Sequence, residues 1–153
     1  MADTYSQIYI QIVFAVKNRN ALINPEWEEQ IYKYIAGIIK NKNQKLIAIN
    51  GTSNHIHIFI GMKPTCCLSD LVREIKKSSN QFIQEKKFTP FKFDWQSGYG
   101  AFSYNHSQLG NVCKYILNQK EHHMKKTFKD EYLEFLKDFQ IDYKEEYLFE
   151  WID

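Results

Sequence analysis

The first regular pattern along the chain is an alternation of apolar and polar positions over residues 6–16. A period of two with many β-branched residues predicts a long strand. Residues 46–49 and 54–60 predict two further strands, and Asn50-Gly51 between them is typical of a tight turn. Residues 101–104 predict a fourth. One face of the first strand would carry only apolar side chains: Ile8, Ile10, Ile12, Phe14 and Val16.

Between and after these strands, apolar residues recur at three- and four-residue spacing, which predicts amphipathic helices. Asn24-Pro25 is typical of a helix start, with Asn as N-cap and Pro at the first helical position, and the apolar stripe that follows ends at Ile39. Three further helices are predicted: one from about residue 68, one from about residue 107 into 122, and one over roughly residues 130–139.

The element order β-α-β-β-α-β predicts an α+β, ferredoxin-like fold: a four-stranded antiparallel sheet with two helices on one face. The chain of 153 residues fits one domain. We divide it into a core of residues 1–105, a helix over 106–123, and an acidic C-terminal helix and tail over 124–153. The second sheet face needs cover from a partner, a substrate or the later helices.

Composition changes this picture only through the distribution of charge. The chain is 44% hydrophobic and 25% charged, which is typical of a globular protein, and its net charge is +2. Residues 63–120 carry +5, whereas residues 121–153 carry −5. The middle of the chain could therefore face a polyanion. We expect the acidic end to lie away from nucleic acid, as a surface or dimer-stabilising helix.

The three cysteines, two of them adjacent, predict neither a disulfide framework nor a zinc ribbon. No apolar run approaches the length of a membrane span, and the N-terminal segment does not resemble a signal peptide. We therefore expect a cytoplasmic protein with no membrane partner.

Candidate chemistry begins with His55 and His57 in the third predicted strand. Side chains alternate along a strand, so Ile56 and Ile58 would face the helices and both histidines the opposite side. Two imidazoles so placed can converge on one divalent cation. The alternative is two exposed histidines on a solvated face. A metal site would need a third ligand and a reacting group.

The helix predicted from residue 107 supplies candidates for both. Tyr115 and Gln119 are four residues apart and would share a helix face. A phenol is a poor nucleophile at its ordinary pKa near 10, but a divalent cation and lysines favour the phenolate. The amide oxygen of Gln119 is a suitable third ligand. The alternative for Tyr115 is packing, because the chain has ten tyrosines. His122 and His123 could support the metal ligands, contact phosphates or act as charges at a helix end, and we favour the last of these.

A strand with His55-Ile56-His57 followed by a helix with Tyr115-Ile-Leu-Asn-Gln119 resembles the HUH single-tyrosine transposases of the smallest insertion sequences (IS200-like), whose relatives include the REP-associated tyrosine transposases. Residues 12–19, 95–103 and 121–123 are also similar. The resemblance implies a divalent cation, Mg²⁺ or Mn²⁺, held by His55, His57 and Gln119. It implies that Tyr115 attacks a phosphate of single-stranded DNA with hairpin ends, leaving a 5′-phosphotyrosine and a free 3′-OH that can rejoin strands.

The resemblance further implies an obligate homodimer, in which the tyrosine helix of one subunit can serve the histidines of the other. We therefore expect a second copy and a DNA strand to cover the second face of the sheet. The first strand is a candidate for edge-to-edge pairing across that dimer. For DNA contacts we predict basic residues at phosphates and exposed aromatic residues against unpaired bases. The basic set is Arg73, Lys76, Lys77, Lys86 and Lys87; the aromatic set is Trp95, Tyr99 and Phe102.

Two other functions remain open at this point. A ferredoxin-like sheet with aromatic residues is compatible with a non-catalytic or domesticated protein that binds single-stranded nucleic acid, although the chain lacks an RNP1-like motif. A metal-dependent nuclease that uses water would retain turnover without Tyr115.

Overall fold

The computed structural model describes residues 2–152 and confirms the predicted α+β, ferredoxin-like fold. Four antiparallel strands form one sheet in the order β2-β3-β1-β4. The strands are β1 (Tyr9–Ala15), β2 (Lys45–Gly51), β3 (His55–Gly61) and β4 (Gly100–Tyr104). The helices are α1 (Glu28–Asn41), α2 (Leu68–Lys86), α3 (Leu109–Leu117), α4 (Gln119–His122) and α5 (Phe128–Asp138), with 3₁₀ turns at His106–Gln108 and Glu145–Tyr147.

One face of the sheet packs against α1 and α2 through an apolar core. Ile56, Ile58 and Ile60 are fully buried there together with Ile35 of α1 and Ile75 of α2. Burying an aliphatic side chain of this size contributes about 1.5–3 kcal/mol. This face anchors β3 and thereby fixes where the alternate residues of that strand point.

The chain covers the second face of the sheet with its own later helices. Phe59 of β3 is buried against Val112 and Ile116 of α3, and Phe102 of β4 stacks on Phe135 of α5 with ring centroids 4.8 Å apart. Our expectation that a second copy and a DNA strand cover this face is therefore wrong. The expectation of a surface helix at the acidic end is also wrong, because the apolar side of α5 packs onto the sheet. Its position relative to nucleic acid stays a prediction.

β1 is an inner strand of the sheet. It pairs with β3 on one side and β4 on the other, so the predicted edge-to-edge pairing of β1 across a dimer is wrong.

Gly100 of β4 lies against α5: a Cβ there would be 2.7 Å from the hydroxyl of Tyr132. Glycine at this position therefore permits the close packing of α5 on β4.

The helix bounds differ from the predicted ones at two sites. Asn24 forms a turn in which its Oδ1 accepts from the Glu26 amide, and α1 begins only at Glu28. The predicted helix from residue 107 into 122 is interrupted at Asn118 between α3 and α4. Asn50, which pairs with His57 in the sheet, donates to the carbonyls of Ile116 and Leu117 at 3.1 Å and so satisfies the end of α3. Within residues 2–152, no helix is long and apolar enough to cross a membrane.

Candidate active site

The two histidines of β3 share one face of the strand, with ring centroids 5.0 Å apart, and both are fully buried. The alternative of two solvated histidines is therefore wrong. The Nδ1 atom of His57 lies 2.8 Å from Oε1 of Gln11, whose Nε2 donates to the hydroxyl of Tyr104. The Nδ1 atom of His55 lies 2.7 Å from Oδ1 of Asn54. Both partners are acceptors, so each imidazole carries its proton on Nδ1 and presents the lone pair of Nε2.

A third imidazole, that of His123, has the same arrangement. Its Nδ1 lies 2.7 Å from the carbonyl oxygen of Lys126, which can only accept, so its Nε2 also presents a lone pair. The side chain is 10% exposed. Our interpretation of His123 as a charge at a helix end is therefore wrong, because the loop between α4 and α5 directs its side chain into the protein interior.

The three Nε2 atoms converge on Glu131 of α5, whose side chain is 2% exposed. Its Oε1 lies 3.0 Å from Nε2 of His57, 3.1 Å from that of His123 and 3.4 Å from that of His55. One ligand atom from each of these four side chains lies within 4.8 Å of the others. This set, which we call the His₃Glu cluster, is defined by His55, His57, His123 and Glu131.

The second oxygen of Glu131 connects this cluster to the tyrosine helix. Oε2 accepts a hydrogen bond from the hydroxyl of Tyr115 and another, at 3.0 Å, from Nε2 of Gln119. The Oε1 atom of Gln119, which is fully buried, lies 3.2 Å from Nε2 of His55. The ring of Tyr115 is 6.0 Å from that of His57. Tyr115, both β3 histidines and Gln119 thus meet within one chain.

Burial and charge set the protonation of these groups. Burial opposes ionisation of Glu131, but the surrounding imidazoles outweigh it and hold the pKa of this carboxyl well below its usual range. Burial lowers the pKa of His55 to about 4. Burial and the adjacent Glu131 carboxylate raise the pKa of the Tyr115 phenol above its ordinary value. At neutral pH, Glu131 is therefore ionised, His55 neutral and Tyr115 protonated.

The residues present fit a divalent cation. The Nε2 lone pairs, Oε1 of Glu131 and Oε1 of Gln119 are all electron-pair donors, and they face one another in a buried space. Donors so arranged repel one another unless a positive charge lies between them. Imidazole and carboxylate are common ligands of divalent transition metals.

Sequence reasoning missed two members of this site, Gln11 and Glu131, and it favoured a role outside the site for His123. Glu131 had a usable signal, because it lies between Phe128 and Phe135 on the apolar stripe of α5, where a charged residue is unexpected. The signal for Gln11 was weaker: it is a polar residue on the face of β1 opposite the apolar one. Their common position became visible only when α5 was seen packed on the sheet.

The predicted DNA-contact residues do not converge on this site. Arg73 pairs with Asp70 at 2.9 Å and is exposed on α2, as are Lys77 and Lys86. Lys87 is exposed directly after the helix. This helix packs on α1, across the sheet from the His₃Glu cluster. Their contact with DNA stays a prediction.

Three other predicted DNA contacts are engaged within the fold. Nζ of Lys76 donates to the carbonyls of Gln96 at 2.8 Å and Gly98 at 2.6 Å, and burial lowers its pKa to about 8. Trp95 is 5% exposed and Phe102 is 2% exposed. The expectation that Trp95 and Phe102 are exposed for base stacking is therefore wrong, whereas contact of Lys76 with a phosphate stays a prediction. Tyr99 is half-buried against the core, and its contact with DNA stays a prediction.

Comparison with known protein families identifies the family to which this chain belongs. Residues 4–119 match the family described as IS200-like transposase. The chain therefore belongs to the IS200-like transposase family, whose members act on DNA by strand transfer. This confirms the resemblance found from His55, His57, Tyr115 and Gln119.

Solved structures with the same fold are also transposases by description. A candidate transposase from Deinococcus radiodurans R1 aligns with a TM-score of 0.61 and 16% identity, covering 78% of this chain and 95% of that one. A REP-associated tyrosine transposase bound to a REP hairpin aligns with a TM-score of 0.58 and 16% identity, covering 100% of this chain and 93% of that one. No curated protein matches the chain.

Proposed function

We propose that this transposase cleaves and rejoins single-stranded DNA through Tyr115. The phenolic oxygen attacks a backbone phosphorus, the bond from phosphorus to the 3′ oxygen breaks, and the products are a 5′-phosphotyrosine and a free 3′-OH. A later attack by a 3′-OH reverses the step and releases the tyrosine. The phosphodiester energy stays in the covalent link, so no nucleotide cofactor is required.

The observation that carries this proposal is the hydrogen bond from the Tyr115 hydroxyl to Glu131, the carboxylate whose Oε1 faces the Nε2 atoms of three imidazoles. Ten tyrosines are present, and this one is held beside the predicted metal ligands. The phenolic proton passes through solvent to the leaving 3′ oxygen, so the step balances in protons. A bound divalent cation, Mg²⁺ or Mn²⁺, would polarise the phosphoryl oxygen and stabilise the phenolate. His55, His57 and Gln119 are its proposed ligands.

A cavity of about 250 Å³ leads to the nucleophile. It lies between the end of β4, α3 and α5, and it is lined by Gln11, Tyr104, Gln108, Asn111, Val112, Tyr115 and Phe135. Amide and hydroxyl groups of this kind can hydrogen-bond phosphate oxygens, and the aromatic rings can contact a base. We propose that the scissile nucleotide enters here. The neighbour bound to a REP hairpin supports hairpin DNA as the substrate class.

We also propose that each chain carries a complete site. Tyr115 and His57 of the same chain are already adjacent, so exchange of the tyrosine helix between subunits is not needed to assemble them. The homodimer stays a prediction, which sedimentation of the purified chain would test.

The experiment uses hairpin-bearing single-stranded oligonucleotides from sequences flanking the gene, with Mn²⁺, labelled at either the 5′ or the 3′ end. A 5′-phosphotyrosine keeps the 3′-terminal fragment on the protein. The 3′ label should therefore migrate with the protein on a denaturing gel, and the 5′ label should appear in a shorter free strand.

The matched variants are Tyr115→Phe and Tyr34→Phe, since Tyr34 lies on α1 across the sheet. Tyr115→Phe should abolish the adduct and Tyr34→Phe should leave it unchanged. Cleavage without an adduct that survives Tyr115→Phe would contradict the proposal and identify a nuclease that uses water. Binding of the hairpin with neither cleavage nor adduct under any metal would identify a domesticated binding protein.

A further inference from the structure

We propose that His123 and Glu131 are themselves ligands of the cation, so that the site holds three imidazoles and a carboxylate and selects transition-metal ions over Mg²⁺. The inference deepens the proposed function, because it concerns the same site. It is tested on metal binding alone, without DNA, so the two can fail separately.

His123 is the first support. Its side chain is nine-tenths buried, and its Nδ1 is engaged by the Lys126 carbonyl at 2.7 Å. Nε2 is buried with no hydrogen-bond partner, although Oε1 of Glu131 is 3.1 Å away. A metal-ligating histidine has this form: one nitrogen donates to an oxygen acceptor, and the other is directed at the ion.

Glu131 is the second support. Its carboxylate is the only charged group among the apolar residues with which α5 faces the sheet over Phe128–Asp138. Thr127 caps this helix by accepting from the Asp130 amide at 3.2 Å, and Phe128 stacks on the ring of His55 at 3.9 Å. The helix start is thereby fixed against the histidine strand, and Glu131 follows at the distance of one turn.

Gln119 takes a supporting position in this arrangement. Its Nε2 donates to Oε2 of Glu131 at 3.0 Å, which orients the carboxylate so that Oε1 faces the imidazoles. Its own Oε1 stays directed toward Nε2 of His55. Gln119 can therefore hold Glu131 in place and still offer an oxygen to the ion.

The donor set decides which ion is preferred. Mg²⁺ demands oxygen ligands in a near-octahedral array and gives up its waters reluctantly. Three imidazoles instead favour Mn²⁺, Co²⁺ or Zn²⁺, with affinity that rises toward the later metals. A site with two imidazoles and one amide oxygen would discriminate less against Mg²⁺.

The direct test uses the wild-type full chain labelled with ¹⁵N-histidine and titrated with Zn²⁺. The chain has five histidines, and the inference predicts that the Nε2 signals of His55, His57 and His123 all shift as the ion binds. His106, exposed in its 3₁₀ turn, should not respond and serves as an internal control. Shifts at His55 and His57 with none at His123 would overturn the inference.

Variants extend the test to Glu131 and to selectivity. Calorimetric Co²⁺ affinity should fall by at least about 10- to 100-fold in His123→Ala and Glu131→Gln, because even the loss of an outer-shell partner has that effect. His106→Ala and Glu134→Gln are the matched controls, since both side chains are exposed. Circular dichroism verifies that each variant is folded. Unchanged affinity in folded His123→Ala or Glu131→Gln would overturn the inference, as would displacement of Co²⁺ by equimolar Mg²⁺.

These experiments distinguish failure of the ligand assignment from failure of the tyrosine mechanism. If His123→Ala binds metal normally and still forms the DNA adduct, the ligand assignment fails while the tyrosine mechanism stands. If all three histidines bind metal but Tyr115→Phe leaves the adduct unchanged, the mechanism fails while the ligand assignment stands.

Discussion

The two faces of the sheet use the same strands for different purposes. On one face, Ile56 and Ile58 pack into an apolar core against α1 and α2. On the other, the neighbouring positions of β3 carry His55 and His57, which are equally buried but surrounded by Glu131 and other polar side chains. Burial of charge is costly unless it is compensated, whereas burial of isoleucine is stabilising. The first face therefore stabilises the fold. The second face positions the reactive groups, and the burial of their charges lowers the stability of the fold.

The difference between the two faces is clearest at two adjacent residues, His57 and Ile58, whose side chains point to opposite faces. We expect His57→Ala to reduce adduct formation by about 10³-fold, since loss of a metal ligand removes several kcal/mol of transition-state stabilisation. The measurement is the rate of 3′-label transfer per folded protein. A rate within a few-fold of wild type would contradict the claim that the histidine face carries the chemistry.

Ile58→Ala should have the converse effect. The side chain is fully buried, so its truncation should lower the free energy of unfolding by about 2–5 kcal/mol. Urea denaturation measures this change. Where the variant is still folded, label transfer should remain near the wild-type rate; a loss comparable to that of His57→Ala would show that the apolar face also shapes the chemistry.

Gly100→Ala tests how tightly α5 must approach the sheet. The new Cβ would be 2.7 Å from the Tyr132 hydroxyl, so we expect destabilisation of about 1–3 kcal/mol from overpacking. Adding Tyr132→Phe removes the nearest atom and should recover part of the loss. Additive effects of the two substitutions in denaturation experiments would contradict this contact.

The smallest expected effect concerns Lys76, the half-buried cation of α2. Its folded pKa is about 8, below the ordinary value of 10.5, so the unfolded chain binds more protons between these values. The wild type should therefore gain stability relative to Lys76→Met as the pH rises from 8 to 10. Partial solvent screening should keep the gain below about 1 kcal/mol. Urea denaturation at both pH values checks it; a relative loss would contradict the sign.

The fold could be predicted from sequence because its signals are local. Alternation defined β1 and β3, and apolar spacing defined α1, α2 and α5, each within a few residues of its bounds. The pairing of His55 with His57 followed from the same alternation. These features depend on residues two to four positions apart.

The rest of the site depends on contacts that no local pattern encodes. Glu131 reaches His57 across 74 positions of sequence, and Gln11 reaches it across 46. Trp95 is buried because it packs on Phe14 of β1, and its Nε1 donates to Ser79 of α2. The interpretation of the C-terminal segment as a surface helix relied on net charge, whereas its position follows from Phe128, Tyr132 and Phe135.

The central claim is that Tyr115 and the metal-binding histidines of one chain form one strand-transfer site. Mixing Tyr115→Phe with His57→Ala, after both have been unfolded and refolded together, tests it most directly. Each variant lacks one half of the site, so the account predicts that the mixture transfers no 3′ label to protein above the level of either variant alone. Recovery of an adduct on the His57→Ala chain would contradict it, because that chain's tyrosine would then be acting with the histidines of another subunit.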